Sequence, residues 1–441
     1  MLTKVGREAP MATRAATSAL LGSAVEYFDF TLFATASALF LGPVFFAPLG
    51  PLQATLAAFI TFGSAFVARP LGAVVFGHVG DRIGRRTALI WSVTLMGIAT
   101  TAIGLLPGYA TLGITAPFLL LVLRLVQGLS AGGEQAGSNA LSLEHAPGGA
   151  RNRYAAWTMQ GTSLGTLLGK LAFLAVVWLP QPTLLAWGWR LPFLMAGPFM
   201  LVAVAIRRTV VEPPAFTELV AAGGVLRVPL VEVFSRHGRA VLVVAVGSLF
   251  AVGGAVLNVY GLSYATARGT SPGGYLAMIS AVTVLGLVLQ PLWARLSDRI
   301  GRRPVFLAAC LAAAALYFAY LPALGTGNLL LIGLASTAML AAWSAANAVS
   351  AAWFAELFPT PVRYSGAAFG GQLGMIVVGF APAAMTSLEG AGGLGWLPVA
   401  GFGAGCLLLA AGAALIAGET VDGRLDEVSW RASSAGPTPA R

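Results

Sequence analysis

Long apolar stretches alternate with short polar segments along the whole chain. Each stretch is about as long as the roughly 20 residues that a helix needs to cross the hydrocarbon layer of a bilayer. The even number of stretches predicts that both ends of the chain lie on the same side of the membrane. We predict an all-α membrane protein with twelve spanning helices, at residues 18–41, 52–77, 87–107, 115–144, 154–179, 190–207, 239–264, 273–295, 304–322, 328–354, 364–388 and 394–417.

The composition excludes a water-soluble protein and several kinds of chemistry. Only 10% of the 441 residues are charged and 57% are hydrophobic, whereas soluble domains carry about 25% charged residues. The two cysteines, Cys310 and Cys406, fall within predicted spans, so we expect neither a metal site nor a disulfide framework. The sequence has no GxxxxGK[ST] nucleotide loop and no nucleophile–base–acid set. We predict neither an ATP-driven pump nor an enzyme, and no cofactor besides a coupling proton.

The net charge of +10 is distributed very unevenly. Given the predicted spans, nearly all lysines and arginines outside the membrane lie on the side of the termini, and only Arg268 lies in a loop on the other side. Basic residues concentrate in the cytoplasmic loops of membrane proteins. The bias predicts a multi-pass membrane protein with both termini in the cytoplasm, and we expect the membrane to be a bacterial inner membrane. It also argues against nucleic acid as the partner of this charge.

The two halves of the chain repeat one another. The six residues Asp-Arg-Ile-Gly-Arg-Arg at 81–86 recur without change at 298–303, 217 positions later. A looser repeat places Glu144 after the fourth span and Glu356 after the tenth. The duplication predicts an N-terminal segment at 1–17, two six-helix halves at 18–207 and 239–417, a cytoplasmic linker at 208–238 and a cytoplasmic tail at 418–441.

The repeated motif, Gly77-x-x-x-Asp81-Arg82-x-Gly84-Arg85-Arg86, resembles the signature loop of the major facilitator superfamily. The resemblance implies the major facilitator fold of two pseudo-symmetric six-helix halves, with a substrate site between them and transport by alternating access. The motif's charges predict a latch that closes the cytoplasmic side, although its arginines could also be topological anchors only. The predicted gate residues are Gly77, Asp81, Arg82, Gly84, Arg85, Arg86, Glu144, Asp298, Arg299, Arg302, Arg303 and Glu356.

Five further segments resemble the metabolite:proton symporter family, which includes carriers of proline and betaine, 2-oxoglutarate, citrate and shikimate. This resemblance extends over essentially the whole chain. It implies proton-coupled transport of a small metabolite, without selecting one substrate. The segments are Glu26-Tyr27-Phe28-Asp29-Phe30, Arg69-Pro70-x-Gly72, Arg124-x-x-Gln127-Gly128-x-Ser130-x-Gly132-Gly133-Glu134, Trp187-Gly188-Trp189-Arg190-x-Pro192-Phe193 and Ala355-Glu356-Leu357-Phe358-Pro359-Thr360.

Ionisable residues lie at similar depth in the first two predicted spans. Glu26 and Asp29 are three residues apart and share one face of the first span, and Arg69 lies in the second. A charge at the bilayer centre costs at least ~2.5 kcal/mol, so such residues are usually functional or paired. We predict that Glu26, Asp29 and Glu134 are proton-coupling sites and that Arg69 binds substrate. The alternative is a static ion pair that holds the first two spans together.

Two cations are predicted deep in the fourth and fifth spans. Arg124 resembles the buried arginine of proton-coupled facilitators, which implies a role in substrate binding or coupling. The alternative for Arg124 and for Glu134, ten residues further along the same span, is a structural pairing with a group on another helix. Lys170 lies about nine residues from the outer end of its span, and we predict that it faces the cavity, with a reach to the outer interface as the alternative. Gly161, Gly165 and Gly169, four residues apart, predict a smooth face against a neighbouring helix.

The remaining candidates are mainly uncharged. Arg190 opens the sixth span, where it could anchor the chain or contact substrate. Tyr260, Asn347 and Gln372 lie within spans of the second half, and each is a candidate for ligand contact or for hydrogen bonds between helices. We expect the first half to supply the charged groups of the site and the second half to determine the shape of the cavity.

Together these features predict an import symporter, in which proton entry drives a small polar metabolite inward. The positive charges within the spans favour a carboxylate. The open alternatives are a zwitterionic substrate such as a betaine or an amino acid, a proton-coupled exporter or antiporter on the same fold, and a receptor that does not transport. The predicted partners are the small-molecule substrate and the lipid bilayer, and we expect a monomer.

Overall fold

The computed structural model describes residues 2–83, 85–132, 151–208, 229–359 and 362–420. These residues are mostly helical and include no β-strand. The twelve long helices are α1 (Leu2–Leu39), α2 (Pro51–Ile83), α3 (Arg85–Leu105), α4 (Thr115–Ala131), α5 (Arg151–Val176), α6 (Arg190–Arg208), α7 (residues 229–267), α8 (Pro272–Ile300), α9 (Arg302–Gly325), α10 (Leu329–Glu356), α11 (Arg363–Leu388) and α12 (Leu397–Ile416).

These helices confirm the all-α membrane architecture that the apolar pattern predicts. Within the described residues, nine helices are long and apolar enough to cross a membrane, and α4 is a shorter apolar helix. With α1 and α5 they give twelve long helices in the predicted order.

Some helix ends differ from the prediction. The helix of α1 begins at Leu2 and so includes most of the polar segment 1–17, and α7 begins at Pro229, inside the predicted linker. The remaining linker residues 209–228, the predicted end of the fourth span at 133–144 and the tail from 421 lie outside the described residues.

The connections between successive helices alternate between two sides of the bundle. The side where α8 ends and α9 begins carries Arg299, Arg302 and Arg303, and we call it the basic side. The other side, where α7 ends at Ala267 and α8 begins, is called the opposite side. Because the number of long helices is even, Leu2 and the end of α12 share the basic side.

Glycines bring α1 and α5 into backbone contact. Gly161 and Gly165 of α5 face the backbone carbonyls of Leu20 and Ala24 on α1, and a β-carbon at either glycine would overlap them. Gly169 continues the same face of α5. The structure therefore confirms the smooth glycine face that the four-residue spacing predicts, and it identifies α1 as the helix that packs there.

A second close approach joins α2 to α4. Gly72 of α2 lies against the carbonyl of Leu129, and Gly128 of α4 lies against the carbonyl of Ala65, with no room for a β-carbon at either glycine. The two helices therefore touch through their backbones, which brings their long buried side chains close together.

The two six-helix halves meet along α5 with α8 and along α2 with α11. Phe380 of α11 lies over Gly63 of α2, and Trp178, just beyond α5, lies over Gly273 at the start of α8. Both contacts are in the part of the bundle nearer to the opposite side. The halves are therefore closed together there.

We expect replacement of Gly165 by alanine to destabilise the protein, because the added methyl group would overlap the Ala24 carbonyl. Overpacking of this kind costs about 1–3 kcal/mol, so the melting temperature of the purified protein in detergent should fall. The matched control is Gly405→Ala on α12, where a β-carbon meets no atom within 4 Å. Equal melting temperatures of the two variants would contradict the backbone contact between α1 and α5.

Candidate substrate and proton site

A cavity of about 260 Å³ lies between the two halves. Helices α1, α2 and α5 of the first half and α7, α8, α10 and α11 of the second half form its wall. The wall reaches Ala355 and Arg363, at the adjoining ends of α10 and α11 on the basic side. Because Trp178 and Phe380 pack between the halves nearer to the opposite side, the cavity extends from the middle of the bundle towards the basic side.

The wall combines aromatic rings with a small number of polar groups. The guanidinium of Arg69 and the amides of Asn258, Gln290, Asn347 and Gln372 are its main polar groups near the middle of the bundle. Such a mixture is typical of sites for small molecules. The aromatic residues of the wall are Tyr27, Phe30, Phe62, Phe66, Phe250, Trp343 and Phe354.

Several buried polar atoms of this wall have no hydrogen-bond partner within the described part of the chain. They are donors on Arg69 (Nε and Nη1), Trp343 (Nε1) and Asn347 (Nδ2), and acceptors on Gln290 (Oε1) and Gln372 (Oε1). Nearly all buried polar groups in proteins are hydrogen-bonded. These atoms are therefore the ones that a ligand or water inside the cavity would satisfy.

The part of α7 that faces the cavity is not a regular α-helix. It contains a 3₁₀ turn at Ser248–Ala251 and a π-helical turn at Val256–Tyr260. Asn258, within the π-helical turn, lines the cavity and donates from Nδ2 to the carbonyl of Gly254 at 2.7 Å. In a membrane such irregular backbone is tolerated where protein or a water-filled cavity surrounds it. The irregular turns thus lie where the substrate site is expected.

Arg69 joins the cavity to a buried ion pair. Its Nη2 donates to Oε1 of Glu26 at 3.0 Å, and both side chains are buried. The rings of Phe30 and Phe66 lie 4.0 and 4.8 Å from its Cζ, close enough for cation–π attraction. The structure brings Glu26 and Arg69 together, as their similar depth on neighbouring helices predicts.

Asp29 belongs to a second buried network that links α1, α3 and α4. It accepts hydrogen bonds from the hydroxyl of Thr100 and, at 2.9 and 3.0 Å, from Nε2 of Gln127. Arg124 donates to Oε1 of the same Gln127 at 3.0 Å and to the carbonyl of Phe62 at 3.4 Å. Gln127 therefore bridges the carboxylate and the guanidinium.

Aromatic rings separate Arg124 from the cavity. Its Cζ lies 4.6 Å from the ring of Phe30, 4.2 Å from that of Phe33 and 5.2 Å from that of Phe62. Phe30 and Phe62 line the cavity, whereas Arg124 and Asp29 do not. Both charged groups therefore lie behind the wall, and Arg124 packs against Phe30, a ring that Arg69 also contacts.

Sequence reasoning missed Thr100 and undervalued Gln127 in this network. Gln127 belongs to the motif around Arg124, and its spacing of three residues from Arg124 places the two side chains on one helix face. Thr100 is a single hydroxyl in an apolar span, and such residues usually bond only to their own helix backbone. No pattern in the sequence distinguishes it.

Lys170 is buried at the boundary between the halves, but it does not line the cavity. Its Nζ donates to Oγ1 of Thr283 on α8 at 2.7 Å, and Thr283 does line the cavity. The ammonium therefore points across to the second half, and not to the membrane interface. A substrate in the cavity would meet Thr283 before Lys170.

Of the three uncharged candidates for ligand contact, Asn347 and Gln372 line the cavity and Tyr260 does not. The hydroxyl of Tyr260 donates to Oε2 of Glu389 at 3.3 Å, and Arg268 binds Oε1 of the same carboxylate at 2.5 Å. These residues lie at the opposite side of the second half. Tyr260 thus belongs to a polar cluster of that surface.

Arg190 lies at the edge of the bundle and holds backbone in place. It donates to the carbonyls of Ala186 at 2.6 Å and Leu106 at 3.0 Å, and its Cζ lies 4.6 Å from the ring of Trp189. This arrangement corresponds to the anchoring alternative, and Arg190 does not line the cavity.

The second copy of the charged motif forms a cluster on the basic side. Arg302 is buried and bonds to Asp298 at 2.7 Å and to Glu356 at 3.4 Å. Arg299 is exposed. These bonds of Arg302 join α8, α9 and α10 within the second half. The predicted latch between halves therefore stays a prediction for this cluster.

The first copy of the motif is only partly described. Gly84, Glu134 and Glu144 lie outside the described residues, and the side chains of Asp81, Arg82, Arg85 and Arg86 and the surroundings of Gly77 are also outside the description. Their predicted roles in gating and proton coupling stay predictions.

Glu419, just beyond α12, completes the basic-side cluster and was not predicted. Its carboxylate accepts hydrogen bonds from the backbone N–H groups of Arg302 at 2.9 Å and Arg303 at 3.0 Å. An anion at the first turn of a helix is favoured by the helix dipole. Thr420 then donates its hydroxyl to Glu356 at 2.6 Å. The segment at residues 419–420 is thus tied to α9 and α10.

The fold and this internal site define a transporter with two helical halves around a central cavity, and comparison with known families agrees. Residues 19–382 match the model of the Major Facilitator Superfamily. The chain belongs to that superfamily, and its matched relatives are transporters, so the protein is a transporter and not an enzyme.

Two relatives from Escherichia coli (strain K12) have 36% sequence identity to this chain. One is the inner membrane metabolite transport protein YhjE, aligned over 80% of this chain and 82% of the relative. The other is a shikimate transporter, aligned over 92% and 94%. In structure, the chain is similar to the xylose transporter XylE from E. coli in a partially occluded inward open conformation, with a TM-score of 0.74 at 20% identity, covering 93% of this chain and 99% of XylE. That likeness concerns the fold.

We expect Arg124→Gln to destabilise the protein strongly, because it leaves the Asp29 carboxylate without the positive charge that Gln127 connects to it. Removing one partner of a buried charged network costs about 3–5 kcal/mol. The matched control is Arg190→Gln, the same change at the edge of the bundle. Thermal unfolding in detergent measures both, and an equal loss of stability in the two variants would contradict the network.

Proposed function

We propose that this protein is a proton-coupled symporter that takes up a small organic carboxylate by alternating access. Arg69 carries the proposal, because it touches both the buried carboxylate of Glu26 and the cavity. Its Nε and Nη1 have no partner within the described residues. A substrate carboxylate at this guanidinium would compete with Glu26 for the same positive charge.

This competition supplies a coupling mechanism. Protonation of Glu26 removes its negative charge, so that Arg69 becomes available to a substrate carboxylate. Loss of the proton restores the ion pair with Arg69 and favours release of the substrate. Binding of proton and substrate are then linked, because each stabilises the state that accepts the other. Asp29, held by Thr100 and Gln127 beside Arg124, is a second candidate for the same role.

The donors and acceptors in the cavity wall restrict the class of possible substrates further. Arg69, Trp343 and Asn347 offer donors, and Gln290 and Gln372 offer acceptors. A suitable ligand has a carboxylate, at least one O–H or N–H donor and an apolar surface that packs against the aromatic rings. The relative that is a shikimate transporter supports a carboxylic acid. An amino acid satisfies the same donors and acceptors, whereas a fully methylated betaine has no donor for the glutamine oxygens.

The proposed orientation follows from the distribution of arginines. With the basic side in the cytoplasm, both termini are cytoplasmic and the cavity extends towards the cytoplasm. The relative YhjE is named as an inner membrane protein, which supports a bacterial inner membrane for this chain. We propose that the transporting unit is a monomer, since the cavity is formed by the two halves of one chain.

A thermal-shift screen of the purified protein against hydroxylated carboxylic acids, amino acids and betaines, at two pH values, tests the substrate class. A ligand that binds the folded state raises the melting temperature, and we expect the largest shifts from acids with a donor group, at the lower pH. Arg69→Gln should remove these shifts. Stabilisation by betaines alone would contradict the proposed substrate class, because a fully methylated betaine has a carboxylate but no N–H or O–H donor.

We expect Glu26→Gln to abolish accumulation driven by a pH gradient in proteoliposomes while exchange of substrate across the membrane continues. The amide resembles the protonated acid, so Arg69 stays available to substrate at every pH, but no proton can be carried. Asp29→Asn is the comparison that decides between the two carboxylates, and Glu389→Gln is the control for an acid outside the network. Gradient-driven export of the bound acid would instead indicate an exporter.

A further inference from the structure

Lys170 is exceptional among the basic residues of this chain. Of the 26 lysines and arginines, only Lys4 and Lys170 are lysines. The buried guanidiniums of Arg69 and Arg124 have carboxylate, amide or carbonyl oxygens and aromatic rings around them. Within the described residues, the buried ammonium of Lys170 has one partner, the uncharged hydroxyl of Thr283.

The charged groups on the helices around α5 are engaged elsewhere. On α1, Glu26 and Asp29 bind partners on α2, α3 and α4. On α6, Arg190 binds backbone carbonyls near the opposite side. The charged residues of α8 and α10 lie at their basic ends, where Arg302 bonds to Glu356. A positive charge at Lys170 is therefore poorly compensated when α5 and α8 are closed together.

The contact of Lys170 with Thr283 belongs to the seam between the halves. Along the same seam, Gln290 donates to Ser163 at 2.9 Å and Gln160 donates to the carbonyl of Leu287 at 2.9 Å. Among these bonds, the one at Lys170 is nearest to the opposite side. Alternating access requires the halves to separate there, and separation would break this bond and bring water to Lys170.

We propose that Lys170 is a proton-exchanging gate residue, which takes up a proton from water when the opposite side is open and releases it when α5 closes on α8. In the release step, one N–H bond of the ammonium breaks and the proton passes to water in the cavity beside Thr283. The neutral amine remains hydrogen-bonded to that hydroxyl. When the opposite side opens, the neutral amine of Lys170 takes up a proton from the water on that side.

The residue type fits this role. A lysine can lose its proton when it is buried, whereas an arginine stays protonated. The inference rests on the proposed proton coupling and adds a group that responds to opening of the gate, besides the carboxylates that respond to substrate.

The first test follows the protonation of Lys170 directly, by NMR of protein labelled with ¹³Cε-lysine in detergent micelles. The two lysines give separate signals, and Lys4→Arg leaves only that of Lys170. We expect this signal to shift between about pH 5 and 9, whereas an ordinary lysine keeps its proton to about pH 10. Thr283→Val removes the acceptor and should move the midpoint to lower pH. A signal that stays constant up to about pH 10, or an unchanged midpoint in Thr283→Val, overturns the proposal.

The second test measures opening of the opposite side as the distance between two spin labels. The labels are attached to the variants Ile114→Cys and Leu330→Cys in a Cys310→Ser/Cys406→Ser background. Both sites are exposed, at 76% and 71%, and lie on the opposite side in different halves. We expect lower pH to increase the population with long distances between the labels in the parent protein. The variant Lys170→Met should keep the short distances at every pH.

One control variant, together with the absence of substrate from both experiments, separates this inference from the proposed function. Glu389→Gln removes another ionisable group of the opposite side and should keep the parental response to pH. A Lys170→Met variant that also keeps that response overturns the proposal. Neither experiment contains a substrate or a proton gradient, so failure of gradient-driven uptake would contradict symport without affecting these readouts.

Discussion

The exclusion of water from the bilayer interior is the constraint on which this structure depends. No solvent stabilises a charge there, so neighbouring helices must provide its partners. Glu26 and Arg69 form a direct ion pair. Gln127 binds both Asp29 and Arg124 and so links the second pair of charges. These contacts need closely packed helices, which glycines permit. The pairing of buried charges in the first half therefore depends on the close helix packing that its glycines permit.

The two halves contribute different chemistry to a cavity that they share. The first half brings Arg69 to the wall and keeps further charges just behind it, while the second half supplies uncharged amides and aromatic rings. Charged groups of the second half are concentrated at its two ends, around Arg302 and around Glu389. Duplication gave both halves the same helices, and the difference in buried charge distinguishes their roles.

The sequence predicted the spans and the similar depth of Glu26, Asp29 and Arg69, because length, hydrophobicity and depth are local properties of a helix. It did not determine the direction in which a side chain points from the helix axis, since that depends on the neighbouring helices. Lys170 therefore lies against Thr283 behind the wall, and Tyr260 lies against Glu389. Thr100 and Glu419 carry no pattern of their own, because each acquires its role only through partners distant in sequence.

The segment that directly follows α12 determines where another protein can be fused to this one. Glu419 caps α9, and Thr420 reaches Glu356, so these two residues belong to the folded unit although they follow the last helix. A fluorescent reporter or affinity tag fused directly after Ile416 would replace both. Fusion beyond residue 420 preserves them, and it is the safer choice when the reporter signal is used to judge folding.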